Sequence, residues 1–108
     1  MALTVAGLSA NLGPSVVDAK DVQFYEITER ASDTQHFVHL DGLVFHSSLA
    51  VAGIDIGYED EAAIVQVRLT PAGKGLSGSF VVDVPLHPNT KRILFGPSRQ
   101  QIWPNAPR

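Results

Sequence analysis

The sequence contains no cysteine, no long apolar run and no surplus of basic side chains. Without cysteine there is no thiol nucleophile, no thiolate metal ligand and no disulfide. Without a run of about 18 apolar residues, no helix is expected to cross a membrane. The formal net charge of −3 is too small to favour nucleic acid or an anionic membrane surface. We therefore predict a soluble protein with neither as its partner.

The N-terminal stretch also lacks the features of a secretory signal peptide. It has no basic n-region, and Ser9, Asn11 and the Gly13-Pro14 pair interrupt its apolar residues. With no signal and no membrane span, the expected location is the cytoplasm. Leu3 and Val5 alternate with other residue types, which predicts a short edge strand near the N-terminus.

The composition is that of one folded domain. Apolar residues make up 44% of the 108 residues and charged residues 18%, which is too apolar for a disordered chain. A chain of this length can bury a core without disulfide or metal support. We predict a single domain over residues 1–103. Pro104, Pro107 and Arg108 stop further strand pairing, so residues 104–108 are predicted to form a frayed tail.

Strand-type alternation of apolar and polar residues dominates the rest of the chain. The clearest case is the stretch 62–86, where AAIVQVRLT and SFVVDVPL are separated by the small-residue connection PAGKGLSG. These two runs predict a core hairpin. The inward set of residues changes parity at Ala52-Gly53, which predicts a β-bulge. A similar change at Phe24-Tyr25 predicts either a bulge or a strand that is buried on both sides.

The Asp41-Gly42 pair lies between the apolar runs HFVHL and LVFHSS. This is the strongest short hairpin signal, because a type I′ turn needs positive φ at both central residues. A turn here would put Val38, Leu40, Leu43 and Phe45 on a core face and Phe37, His39, Val44 and His46 on the other. His39 and His46 would then lie on a diagonal, with Cβ atoms roughly 7 Å apart. Two imidazoles at that separation predict a metal site if a third ligand joins them.

Further short runs, KRILF and QQIW, continue the strand pattern to the C-terminal end. The total is about eight short strands with turn signals between them and no convincing amphipathic helix. This layout predicts an all-β fold, an antiparallel β-sandwich of the immunoglobulin-like or jelly-roll-like kind.

No catalytic motif is present. The glycine-rich GKGLSG is not followed by a helix that could present its N-terminal amides to a phosphate, and no serine lies in a nucleophile motif. The consecutive acids Glu59, Asp60 and Glu61 are typical of a solvated turn. We predict a protein that is not an enzyme and has no cofactor.

Several strands carry apolar residues on both faces, which is more apolar surface than one small sandwich can hide. This predicts a non-catalytic interaction or assembly module that associates with itself or a protein partner through a sheet face or edge. Two alternatives are a metal- or small-ligand-binding domain that uses His39 and His46, and a carbohydrate-binding module that uses Tyr58 and Trp103. The predicted interaction surface consists of Tyr25, Phe37, Val44, Tyr58 and Trp103.

Overall fold

The computed structural model describes residues 16–45 and 48–104. The predicted edge strand at Leu3 and Val5, and the tail beyond Pro104, lie outside the described residues. The described part begins with a short 3-10 turn, Ala19–Asp21, and continues in strands β1 (Val22–Ala31), β2 (His36–Val44), β3 (Leu49–Glu59), β4 (Ala62–Pro71), β5 (Ser79–Leu86), β6 (Arg92–Phe95) and β7 (Gln100–Trp103).

The strands form two sheets, one with the order β1-β2-β5 and one with the order β3-β4-β6-β7. The predicted all-β sandwich is confirmed. One pairing departs from the antiparallel prediction, because β4 and β6 run parallel. Between these two strands the chain crosses to the other sheet as β5 and returns, and a parallel pair needs such a crossover. The core lies between the sheets and is built from Val17, Val22, Val38, Leu40, Val44, Ala63, Val65, Val67, Leu69, Phe80, Val84, Ile93, Phe95 and Ile102.

The predicted core hairpin over residues 62–86 is wrong, because its two strands belong to different sheets. β4 pairs with β3 along its whole length, and β5 pairs with β2. The connection between β4 and β5 is hydrogen-bonded to both sheets: the Val51 N–H donates to the Ser77 carbonyl and the Val44 N–H to the Gly78 carbonyl, each over 2.9 Å. The alternation identified each strand correctly but contained no information about its partner.

The predicted hairpin turn at Asp41-Gly42 is also wrong, because β2 runs straight through both residues. Gly42 is buried and lies between Phe24 of β1 and Phe80 of β5 in the register of the sheet. A Cβ atom at Gly42 would lie 2.8 Å from Cζ of Phe80 and 3.1 Å from Cγ1 of Val22. The glycine therefore allows a close approach of side chains instead of a turn.

With β2 continuous, its side chains alternate along the whole strand, and the predicted faces change. Val44 is only 4% exposed and belongs to the core, so it contributes nothing to an outer surface. Phe45, which was expected in the core, is 59% exposed. Phe37 and His39 do point away from the core, as predicted, because the even-numbered residues from Val38 to Val44 are buried and the odd-numbered ones of β2 are not.

Other local predictions are confirmed. The register shifts between Val51 and Gly53, at the predicted bulge, and between Phe24 and Glu26, where a bulge was one of two alternatives. The acids at the end of β3 lead into the tight turn to β4. KRILF and QQIW contain β6 and β7, which supply buried side chains to the core. Within the described residues, no helix has the length and hydropathy to cross a bilayer.

Candidate interaction face

The candidate site is the outer face of the three-stranded sheet, the side that points away from the core. Strand register arranges its side chains in rows that run across β1, β2 and β5. We call the following residues the outer face: Arg30, Phe37 and Pro85 in the first row; Thr28, His39 and Asp83 in the second; Glu26, Asp41 and Val81 in the third; Gln23, Leu43 and Ser79 in the fourth; and the exposed bulge residue Tyr25 next to Glu26.

His39 connects the three strands of this face. Its Nδ1 lies 2.6 Å from Oδ1 of Asp83 on β5, and its Nε2 lies 3.9 Å from Oε1 of Glu26 on β1. An ionised carboxylate can only accept hydrogen bonds, so Nδ1 carries the proton in the contact with Asp83. The His39 side chain is only 18% exposed, which leaves the ring little freedom to turn away.

Glu26 is held by a second partner on its own strand. Arg30 donates to Oε2 of Glu26 through Nη2 over 2.7 Å. This hydrogen bond, supported by one from Thr28, holds the pKa of the Glu26 carboxyl below its usual value, against a smaller opposite effect of burial. Glu26 is therefore ionised at neutral pH, and both carboxylates beside His39 have defined partners.

The predicted metal site at His39 and His46 loses its geometrical basis. It required a turn at Asp41-Gly42, and that turn does not exist. His46 itself lies outside the described residues. Among the residues that are described, no three histidine or acidic side chains are grouped so that they could hold a metal ion.

Large exposed apolar side chains concentrate on this sheet. Tyr25 is 63% exposed and Val81 is 60% exposed. Phe45, directly after β2, is exposed to a similar fraction. Tyr25 is the extra residue of the β1 bulge, between Phe24, which pairs with Gly42, and Glu26, which pairs with Asp41; Val81 lies opposite Asp41 on the other side. Asp41 therefore has Glu26, next in the chain to the exposed Tyr25, on its β1 side and the exposed Val81 on its β5 side. Phe37, half-buried, lies in the first row of the face.

Tyr58 and Trp103, the other predicted surface residues, lie elsewhere. The Tyr58 ring stacks on His87 with a centroid distance of 3.9 Å, and its hydroxyl donates to the Pro85 carbonyl over 2.7 Å. Burial raises the pKa of the Tyr58 hydroxyl. Tyr58 therefore joins β3 of one sheet to β5 of the other. Trp103 is half-buried against the core at the end of β7.

The four-stranded sheet carries a shallow groove of about 310 Å³ beside Tyr58. The charged residues around it are paired with each other. Asp55 accepts from Arg68 over 2.7 Å, and Glu59 accepts from Arg99 over 2.6 and 3.1 Å. The Arg99 guanidinium lowers the pKa of the Glu59 carboxyl, and Glu59 raises the pKa of Arg99 in turn. Tyr58, which lines the groove, is 38% exposed, less than Tyr25 or Val81.

Sequence reasoning placed His39, Tyr25 and Phe37 outside the core but missed Glu26, Asp41, Val81 and Asp83 as their neighbours. No local pattern could have found them, since the neighbours come from three strands whose pairing was not known. Asp41 carried a misleading signal, because an Asp-Gly pair resembles a turn wherever it occurs.

Comparisons of this chain with protein-family models, with curated proteins and with solved structures found no match. The fold and the outer face define a small β-sandwich with an apolar and acidic sheet surface.

Proposed function

We propose that this protein is a non-catalytic interaction module that binds a protein partner through the outer face. The observation that carries the proposal is the exposure of Tyr25 and Val81 on opposite sides of Asp41. Burial of exposed aromatic and aliphatic side chains in an interface is favourable, because it removes apolar surface from water. Tyrosine is also among the residues that dominate binding energy in protein interfaces.

The face is better suited to this role than the neighbouring sheet edge. Addition of a strand to β5 would need free backbone groups along that edge. Pro85 has no N–H, and its carbonyl already accepts the Tyr58 hydroxyl. One end of the β5 edge is therefore closed, which supports recognition by side chains over strand addition.

The proposal can be tested with peptides selected from a random 12-residue phage library against the purified protein. We expect a selected peptide to shift amide NMR signals around Tyr25, Asp41 and Val81. The Tyr25→Ser/Val81→Ser variant should bind at least tenfold more weakly, because each substitution removes buried apolar contact. The control is Leu76→Ser, since Leu76 is exposed but lies in the β4–β5 connection.

Shifts that cluster in the groove beside Tyr58, or equal loss of binding in Leu76→Ser, would contradict the proposal. Self-association, the form of interaction predicted from the sequence, is tested separately by light scattering over a range of protein concentration. A mass that rises above 11.6 kDa in the wild type and not in the double variant would show that a second copy occupies the face.

A further inference from the structure

Asp41 is the residue of the outer face whose aspartate side chain has no structural role in the described part of the fold. It lies in the middle of the central strand, where aspartate is disfavoured relative to β-branched and aromatic residues. Glu26 has Arg30 and Asp83 has His39, but Asp41 forms no ion pair or side-chain hydrogen bond with any other described residue. Its neighbour Gly42 is explained by packing, and Asp41 is not.

The charges of the outer face are predominantly negative. Three carboxylates, those of Glu26, Asp41 and Asp83, stand against one guanidinium, that of Arg30. Arg30 is already engaged by Glu26. A second copy stacked on this face would bring like charges together, which costs free energy in a desolvated interface. The net charge of the whole chain is also negative.

We infer that the partner of the outer face is a basic protein segment, in which a lysine or arginine flanked by apolar residues meets Asp41. This inference rests on the proposed function and names its partner. The cation pairs with the Asp41 carboxylate, and the apolar flanks pack on Tyr25 and Val81. A charged hydrogen bond at the centre of an apolar contact is a common source of specificity, because a neutral partner would leave Asp41 buried and unpaired.

The arrangement of the neighbouring carboxylates supports this assignment. Asp83 is in contact with His39, and Glu26 accepts a hydrogen bond from Arg30, both within the sheet. Asp41 lies on the strand between those that carry Tyr25 and Val81. Its carboxylate is therefore the one that binds the cation of the partner. The face therefore combines one carboxylate for a cation with an apolar surface on either side of it.

The test uses the same random 12-residue peptide library on the wild type and on two variants of equal charge, Asp41→Asn and Asp33→Asn. Asp33 lies in the exposed β1–β2 turn and serves as the control. We expect peptides selected by the wild type and by Asp33→Asn to be enriched in lysine or arginine next to apolar residues. Asp41→Asn should lose that enrichment and bind a selected peptide roughly tenfold or more weakly. A lysine-to-glutamine version of that peptide should show a similar loss with the wild type.

Thermal unfolding and circular dichroism of each variant must match the wild type, so that a loss of binding is not a loss of fold. Peptides without basic residues that still map to Tyr25 and Val81 would overturn this inference and leave the proposed function standing. Self-association abolished by Tyr25→Ser/Val81→Ser and unaffected by Asp41→Asn would also overturn it, in favour of a second copy. Binding only in the groove beside Tyr58 would overturn both.

Discussion

At the scale of single residues, Gly42 shows most clearly how packing determines residue type. A methyl group at this position would meet the Phe80 ring and the Val22 side chain at less than normal contact distance. Both neighbours are buried, and the Phe80 ring packs near those of Phe24 and Phe95. We expect Gly42→Ala to lower the free energy of unfolding by about 1–3 kcal/mol, measured by urea denaturation.

The matched control is Gly57→Ala on β3, because a Cβ atom there would meet nothing within 4 Å. Replacement of an extended, unobstructed glycine should be neutral or slightly stabilising, since alanine restricts the unfolded chain. Equal urea midpoints for the wild type and Gly42→Ala would show that Phe80 and Val22 can move aside without cost.

At the scale of secondary-structure elements, Tyr58 ties the edge of one sheet to the edge of the other. Its hydroxyl donates to the Pro85 carbonyl, and its ring stacks on His87 just beyond β5. Tyr58→Phe keeps the ring and removes the hydrogen bond. We expect it to lower the free energy of unfolding by about 0.5–1.5 kcal/mol in urea denaturation.

Tyr25→Phe is the corresponding control, because Tyr25 is largely exposed and removal of its hydroxyl should leave stability unchanged. If the two tyrosine variants unfold at the same urea concentration, the hydroxyl of Tyr58 contributes nothing and the sheets are joined by core packing alone.

At the scale of the whole molecule, three carboxyl groups link stability to pH. Hydrogen bonds lower the pKa of Asp18, Glu26 and Glu59 from ordinary values of 3.8, 4.5 and 4.5; the main donors are the Ser98 backbone, Arg30 and Arg99 respectively. A lowered pKa in the folded state stabilises the fold above the unfolded-state value, and this contribution disappears as the pH falls through the folded-state pKa.

We therefore expect the urea midpoint to be constant above about pH 5 and to decrease as the pH falls below the ordinary carboxyl pKa range of about 4. Glu59→Gln should show a smaller decrease than the wild type, because it has one fewer shifted carboxyl. A midpoint that stays constant down to pH 3 would mean that these hydrogen bonds are equally favourable with protonated partners.

Only part of the candidate site could be predicted from the sequence. The outward orientation of Phe37 and His39 could be predicted from alternation along β2. The grouping of His39 with Glu26 and Asp83 could not, since it depends on how β1 and β5 align with β2. Val44 was assigned to the surface because a turn was expected at Asp41-Gly42, and a one-residue change of parity moves a side chain to the other face.

The sequence by itself determined that the protein is all-β, where most of its strands lie and where the bulge in β3 occurs; in β1 it left a bulge or burial on both faces open. These features follow from alternation, which each strand expresses through the opposite directions of successive side chains. Only the tertiary structure decided which strands pair, that β4 and β5 belong to different sheets, and that Gly42 makes room for Phe80. The reason is physical: strand pairing and close packing depend on contacts between residues far apart in the chain, and no local pattern contains them.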